Sequence, residues 1–177
     1  MIDLLVADIR TKSNYTYGSL GAKNILRTLA SEGMLAMLFM RAAEFCYVIK
    51  LTPFSWIISR LNTHINSITI SPRAKISRGF VVMHPVGVVI NGNAVIGENV
   101  IIQSDVVIGA ARRLAGKSPV IGSNVEIGTG AKILGDITVG NNVVVGANAV
   151  VVKDVPDGAV MMGIPAKVVS IKCQNKS

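Results

Sequence analysis

Between residues 70 and 151 one aliphatic side chain returns every six residues: Ile70, Ile76, Val82, Ile90, Ile96, Ile102, Ile108, Ile121, Ile127, Ile133, Val139, Val145 and Val151. The step lengthens only twice, to eight between Val82 and Ile90 and to thirteen between Ile108 and Ile121. Glycine often follows the aliphatic residue, at Gly97, Gly109, Gly122, Gly128, Gly140 and Gly146. A six-residue period fits neither a helix nor a paired flat sheet. It fits a parallel β-helix, in which each hexapeptide is one short strand and one turn. Three strands per turn then give roughly fourteen strands in four to five triangular coils. Asn91, Asn93, Asn99, Asn124, Asn141, Asn142 and Asn148 fall at turn positions, where asparagine tolerates left-handed backbone.

The first third of the chain has a different rhythm. Ile25, Leu26, Leu29, Leu35, Leu38, Ala42 and Phe45 recur at three-to-four spacing, which predicts helices over residues 1–62. Ser31 and Glu32 suit the start of a main helix, and Pro53 marks a break and a fresh start. A connector around 62–67 then leads into a solenoid over 63–169, with a tail at 170–177. The helices serve as a cap, because an open coil exposes its interior and its strand edges.

Composition agrees with this division. Half of the 177 residues are hydrophobic but only 5% are aromatic, which suits the narrow interior of a stacked coil. Cys46 and Cys173 have no zinc-ligand spacing and read as free thiols of a reducing compartment; no metal site is expected. Arg41, Glu44 and Lys50 interrupt the most apolar stretch, so no spanning helix is expected and the chain reads as cytoplasmic. Net charge is +8, and residues 1–80 carry ten Lys and Arg against four acids. Scattered cations without interleaved aromatics argue against nucleic acid. They leave open a weak association with an anionic membrane surface, at the inner membrane face, or a plain solvated surface.

The longer steps in the grid are where chemistry can be mounted. At the first stands Met83-His84-Pro85-Val86-Gly87. Two extra residues push the imidazole off the regular wall, and histidine's ordinary pKa, about 6.5, suits proton abstraction near neutrality. The second contains Arg112, Arg113 and Lys117 with Gly116 and Ser118, and no acid. His64, in the connector, reads as structural.

These residues carry a resemblance. Ile76-Ser77-Arg78-Gly79-Phe80 leading into His84-Pro85-Val86-Gly87-Val88-Val89-Ile90 resembles the left-handed β-helix acyltransferases, most closely their serine acetyltransferase branch. So do Gly128-Thr129-Gly130-Ala131-Lys132-Ile133-Leu134-Gly135-Asp136-Ile137 and Gly146-Ala147-Asn148-Ala149-Val150-Val151. The closing run Met162-Gly163-Ile164-Pro165-Ala166-Lys167-Val168-Val169 fits as well, and Arg41 matches more loosely. The resemblance implies a mainly β, left-handed parallel β-helix and a homotrimer with active sites at subunit interfaces. It also implies acetyl-CoA as co-substrate and His84 as general base. Gly109, Ala110, Thr129 and Ala147 would then line the pantetheine arm, with Lys132, Lys153 and Lys167 near the phosphates.

The chain departs from the branch at the acceptor. Serine acetyltransferases orient the histidine with an acid on the preceding coil, matched here by Thr69, and carry an acid just before it, matched by Met83. A basic residue and a second histidine of the interrupting loop are matched by Lys117 and Ser118. A site short of charged partners should reject a zwitterion, since unpaired buried charge is costly. The expected acceptor is therefore a saccharide hydroxyl. This profile resembles capsule, exopolysaccharide and O-antigen O-acetyltransferases, with Arg112, Arg113 and Lys117 meeting an acidic sugar or CoA phosphates. Three alternatives stay open at Thr69: a backbone carbonyl sets the histidine tautomer, Thr69 itself does, or activity is reduced. Serine O-acetylation is the alternative, although the C-terminal Gln174-Asn175-Lys176-Ser177 lacks the isoleucine of members that bind the next enzyme. A non-catalytic structural or lipid-surface module is the third reading.

Overall fold

The computed structural model describes residues 1–110 and 116–171. Arg112, Arg113 and Cys173 lie outside the described residues. Four helices come first: α1 (Ile2–Tyr17), α2 (Ala22–Leu29), α3 (Met34–Val48) and α4 (Thr52–Asn66). Fifteen strands follow, most of them two residues long.

The strands stack as three parallel sheets, the walls of a triangular coil. The first wall holds β1 (Thr69–Ile70), β4 (Val89–Ile90), β7 (Val107–Gly109), β10 (Lys132–Leu134) and β13 (Val150–Val151). The second holds β2 (Lys75–Ile76), β5 (Val95–Ile96), β8 (Val120–Ile121) and β11 (Thr138–Val139). The third holds β3 (Val81–Val82), β6 (Ile101–Ile102), β9 (Glu126–Ile127), β12 (Val144–Val145) and β14 (Ala159–Gly163). Finally β15 (Ala166–Ile171) turns back antiparallel on β14 and ends the stack.

Every aliphatic residue of the six-residue grid points inward and is at most 6% exposed. Equivalent side chains sit in register on successive rungs, as in Ile90 against Ile108 and Ile108 against Ile133. The core is thus a column of β-branched layers, each fully buried Ile or Val contributing on the order of 1.5–3 kcal/mol. Asn99, Asn124, Asn142 and Asn148 adopt positive φ at the corners, whereas Asn91, Asn93 and Asn141 do not. Asn91 and Asn141 instead accept backbone hydrogen bonds, Asn91 Oδ1 from Asn93 N of its own turn at 2.9 Å and Asn141 Oδ1 from Ser123 N of the neighbouring rung at 2.8 Å.

Two boundaries differ from the sequence reading. Helix α4 runs through Asn66, so the segment expected as a connector after residue 62 is helical, and His64 stands exposed on that helix. Helix α3 starts at Met34 after a left-handed Gly33, not at Ser31 or Glu32. Much of the apolar stripe of the cap faces outward. Leu26, Leu29, Leu35, Leu38 and Phe45 are 42–69% exposed, while α3 buries Met34, Ala36, Met37, Met40, Arg41 and Ala43. Small side chains let α3 approach α4, whose inner face is polar. Ser55 Oγ donates to Ala43 O (2.7 Å), Asn62 Nδ2 to Ala36 O (3.0 Å) and Ser59 Oγ to Ile70 O (3.1 Å).

Arg41 fastens this cap to the first coil. Its guanidinium donates to both carboxylate oxygens of Asp8 (2.8 and 3.1 Å), to Glu44 Oε2 (2.7 Å), and to the carbonyls of Ile76 (2.9 Å) and Ser77 (2.7 Å). Asp8 in turn accepts the backbone N–H of Phe80 at 2.9 Å. A rigid fork of donors is what lets one side chain serve α1, α3 and the coil together.

Candidate active site

His84 lies where the third wall turns into the first. Two extra residues make this corner bulge. Gly87 permits it with φ of 74°, since a Cβ there would stand 1.9 Å from Asp105 Oδ1. The His84 side chain is 55% exposed and its Nδ1 is 2.7 Å from Glu32 Oε2. With Nδ1 donating to the carboxylate, Nε2 is left with its lone pair free, which is the arrangement a general base needs. The expectation that Thr69 or a carbonyl fixes the tautomer is therefore corrected: the group at Nδ1 is a carboxylate from the helical cap.

Glu32 was not marked by any local signal, being 52 residues from His84 in sequence. It reaches the ring because the corner between α2 and α3 lies on β3. Gly33, at φ of 76°, makes the contact close enough that a Cβ would come 2.3 Å from Val82 O and 3.2 Å from Met83 O. Lys12, 2% exposed, donates to the carbonyls of Glu32 and Val82, the latter at 3.0 Å. Burial pushes the Lys12 ammonium down to about 8, against the opposing pull of the Glu32 carboxylate.

Along the same edge successive rungs of the coil stack in register. Met83 N donates to Ile102 O (3.0 Å), Gln103 N to Ile127 O (3.0 Å) and Gly128 N to Val145 O (2.8 Å), so Met83, Gln103, Gly128 and Gly146 form one column. A rung rises about 4.8 Å, which puts Thr129 roughly two rungs and Ala147 roughly three rungs from His84. A groove of about 210 Å³ opens beside the column, lined by Tyr15, Gln103, Glu126, Gly128, Gly146 and Ala147. Burial, and then the Glu126 carboxylate, raise the Tyr15 pKa. Lys132 bonds the Asp105 carbonyl at this corner, and Lys167 pairs with Met162 at its far end.

The remaining candidates stand on the next corner, at the opposite ends of the first wall's strands. Gly109 ends β7 there with Ala110 after it, and Lys153 follows β13. Lys117 pairs with Asp136 at 2.5 Å, and Ser118 Oγ donates to Asn91 Oδ1 at 3.0 Å. One chain therefore gathers Met83, His84, Thr129, Lys132, Ala147 and Lys167 on one edge and leaves Gly109, Ala110, Lys117, Ser118 and Lys153 on another.

A family model for the bacterial transferase hexapeptide (six repeats) matches residues 118–153. The chain is 39% identical over 143 residues to the serine acetyltransferase of Helicobacter pylori (strain J99), covering 80% of this chain and 84% of that protein. The chain belongs to the serine acetyltransferase family. It is also 32% identical over 150 residues to the serine acetyltransferase of Synechococcus elongatus, covering 84% of this chain but only 62% of that relative's length. Among solved structures, the Brucella abortus serine acetyltransferase in complex with coenzyme A superposes with a TM-score of 0.88 at 28% identity, over 97% of this chain and 68% of the other. The β-helix expected from the hexapeptide grid, with the left hand that the resemblance implied, is the fold of this family.

Kinship with serine acetyltransferases overturns the expectation of a saccharide acceptor and lends no support to closeness to capsule or exopolysaccharide enzymes. Position 69 carries no acid, and the carboxylate beside the histidine comes instead from Glu32 on a different element. Among the described residues, no helix is long and apolar enough to cross a membrane.

Proposed function

We propose that this chain transfers the acetyl group of acetyl-CoA to the hydroxyl of L-serine, with His84 as general base. The observation that carries the reading is the exposed imidazole held through Nδ1 by Glu32, on the same edge of the coil whose later rungs, at Gly128, Gly146 and Ala147, line a groove. His84 takes the hydroxyl proton through Nε2 as the serine oxygen forms its bond to the thioester carbonyl. It returns that proton to the departing thiolate when the C–S bond breaks, so O-acetylserine and CoA leave and the imidazole is neutral again. No side-chain nucleophile is acylated.

Thr129 and Ala147 would flank the pantetheine arm along the column, with Lys132 and Lys167 toward the phosphates. A Cβ at Gly128 would lie 2.7 Å from the Ala147 backbone nitrogen, so this wall stays smooth only with glycine there. Gly109, Ala110, Lys153, Lys117 and Ser118 stand one corner away, and a neighbouring subunit's copy of that corner would complete the site. This supports a homotrimer with active sites between subunits. Lys117 and Ser118 would then meet the acceptor carboxylate, Lys117 exchanging Asp136 for it. Arg112 and Arg113 belong to the same loop by sequence.

The test is direct. Purified protein, acetyl-CoA and L-serine should release CoA thiol in proportion to serine, with O-acetylserine identified by mass spectrometry. Thiol release indifferent to serine would refute the acceptor assignment.

A further inference from the structure

We propose that Lys12 is a positioning residue for the reaction, acting through Glu32 on His84. This inference rests on the functional reading above. Lys12 sits on α1, outside the coil, yet its side chain is 2% exposed and its ammonium joins two backbone carbonyls from different elements. One is that of Glu32 at the α2–α3 corner, and the other that of Val82, two residues before His84. Two carbonyls facing one another repel, so without a cation between them the corner would not rest on the strand. Gly33 makes the same point sterically, since any Cβ at that residue would strike Val82 O.

A buried lysine is costly, and Lys12 pairs with backbone, where an apolar side chain would fill the space more cheaply. What the clip secures is the origin of the Glu32 side chain. Glu32 is 75% exposed and meets His84 through a single contact of 2.7 Å, so its own surroundings do little to hold it. A backbone fixed to the histidine's strand removes the freedom that would let this exposed pair separate. In ordinary ion pairs of such exposure the partners are loosely held. Here the two partners are anchored to each other four bonds back from the carboxylate, through Lys12.

The experiment is a double-mutant cycle with Lys12→Met, which keeps the stem and deletes the cation, and Glu32→Ala. Lys12→Met should lower kcat for acetyl-CoA and L-serine roughly tenfold with KM little changed, since small misplacements of a catalytic group cost that order or more. In the Glu32→Ala background Lys12→Met should cost nothing further, because the residue it positions is gone. Nitrogen NMR of the ring should show His84 passing from one tautomer in the wild type to a mixture in Lys12→Met. Unchanged kcat, or losses that multiply in the double variant, would overturn the inference. Should Lys12→Met fail to fold, Gly33→Ala probes the same contact, and a normal kcat and a single His84 tautomer in that variant would equally overturn it. Absence of serine acetylation in the wild type would instead refute the functional reading, whereas the NMR readout stands without activity.

Discussion

Replacing Arg41 with methionine is the sharpest probe of how the cap and coil are joined. The guanidinium makes five hydrogen bonds, two to Asp8 and one each to Glu44, Ile76 O and Ser77 O. Methionine fills much of the space and supplies none of them. Asp8 is 0% exposed and would keep only the Phe80 N–H, leaving a buried carboxylate without its counterion. Stranding one partner of a buried pair costs about 3–5 kcal/mol. For a chain of this length that corresponds to a fall in Tm of roughly 2–4 °C per kcal/mol, about 6–20 °C in all. Urea unfolding followed by circular dichroism reads the free energy, and calorimetry reads Tm. Adding Asp8→Leu should recover part of the loss by removing the stranded charge, though Phe80 N–H is then left unpaired at about 1–3 kcal/mol. A loss below about 1 kcal/mol for Arg41→Met would show that the cap does not depend on this ion pair.

Ile102→Ala removes a fully buried rung residue and should cost about 2–5 kcal/mol in the same urea assay. Lys12 gives a pH signature. Its folded pKa, about 8, lies below the ordinary 10.5, so between those values the folded chain holds fewer protons than the unfolded one. Its contribution to stability therefore rises as pH climbs from about 8 to 10.5, and is least favourable below 8. Denaturation of wild type and Lys12→Met across that window should show the wild type gaining relative to the variant, and a flat difference would contradict the assigned burial.

The coil was legible because its physics is periodic. A six-residue inward repeat admits little besides stacked three-sided rungs, and all thirteen grid residues from Ile70 to Val151 are buried. His84 was legible for a related reason, since an insertion beside a histidine breaks a pattern that is otherwise strict. Glu32 was not, because contact between an interhelical corner and β3 depends on tertiary packing that no spacing encodes. The mistaken acceptor came from elsewhere, from reading Met83, Lys117 and Ser118 as lost partners for a zwitterion, and kinship with serine acetyltransferases corrects it. The helices of the cap were legible, but their packing was not. Periodicity located helices around Leu35, Leu38 and Phe45, but which face turns inward was decided by Ala36, Ala43 and the Arg41 hub, and those leucines remain outside. The coil's start moved to Thr69 because nothing in residues 63–66 stops a helix before Ser67 takes a left-handed φ of 54°.

The central claim is that His84 carries the proton in acetyl transfer to serine. The most direct measurement is kcat of His84→Ala with acetyl-CoA and L-serine, alongside its sedimentation and circular dichroism. A fall of about 10²–10⁴-fold in a protein with wild-type spectrum and assembly is the expected result. Turnover near that of the wild type would contradict the account.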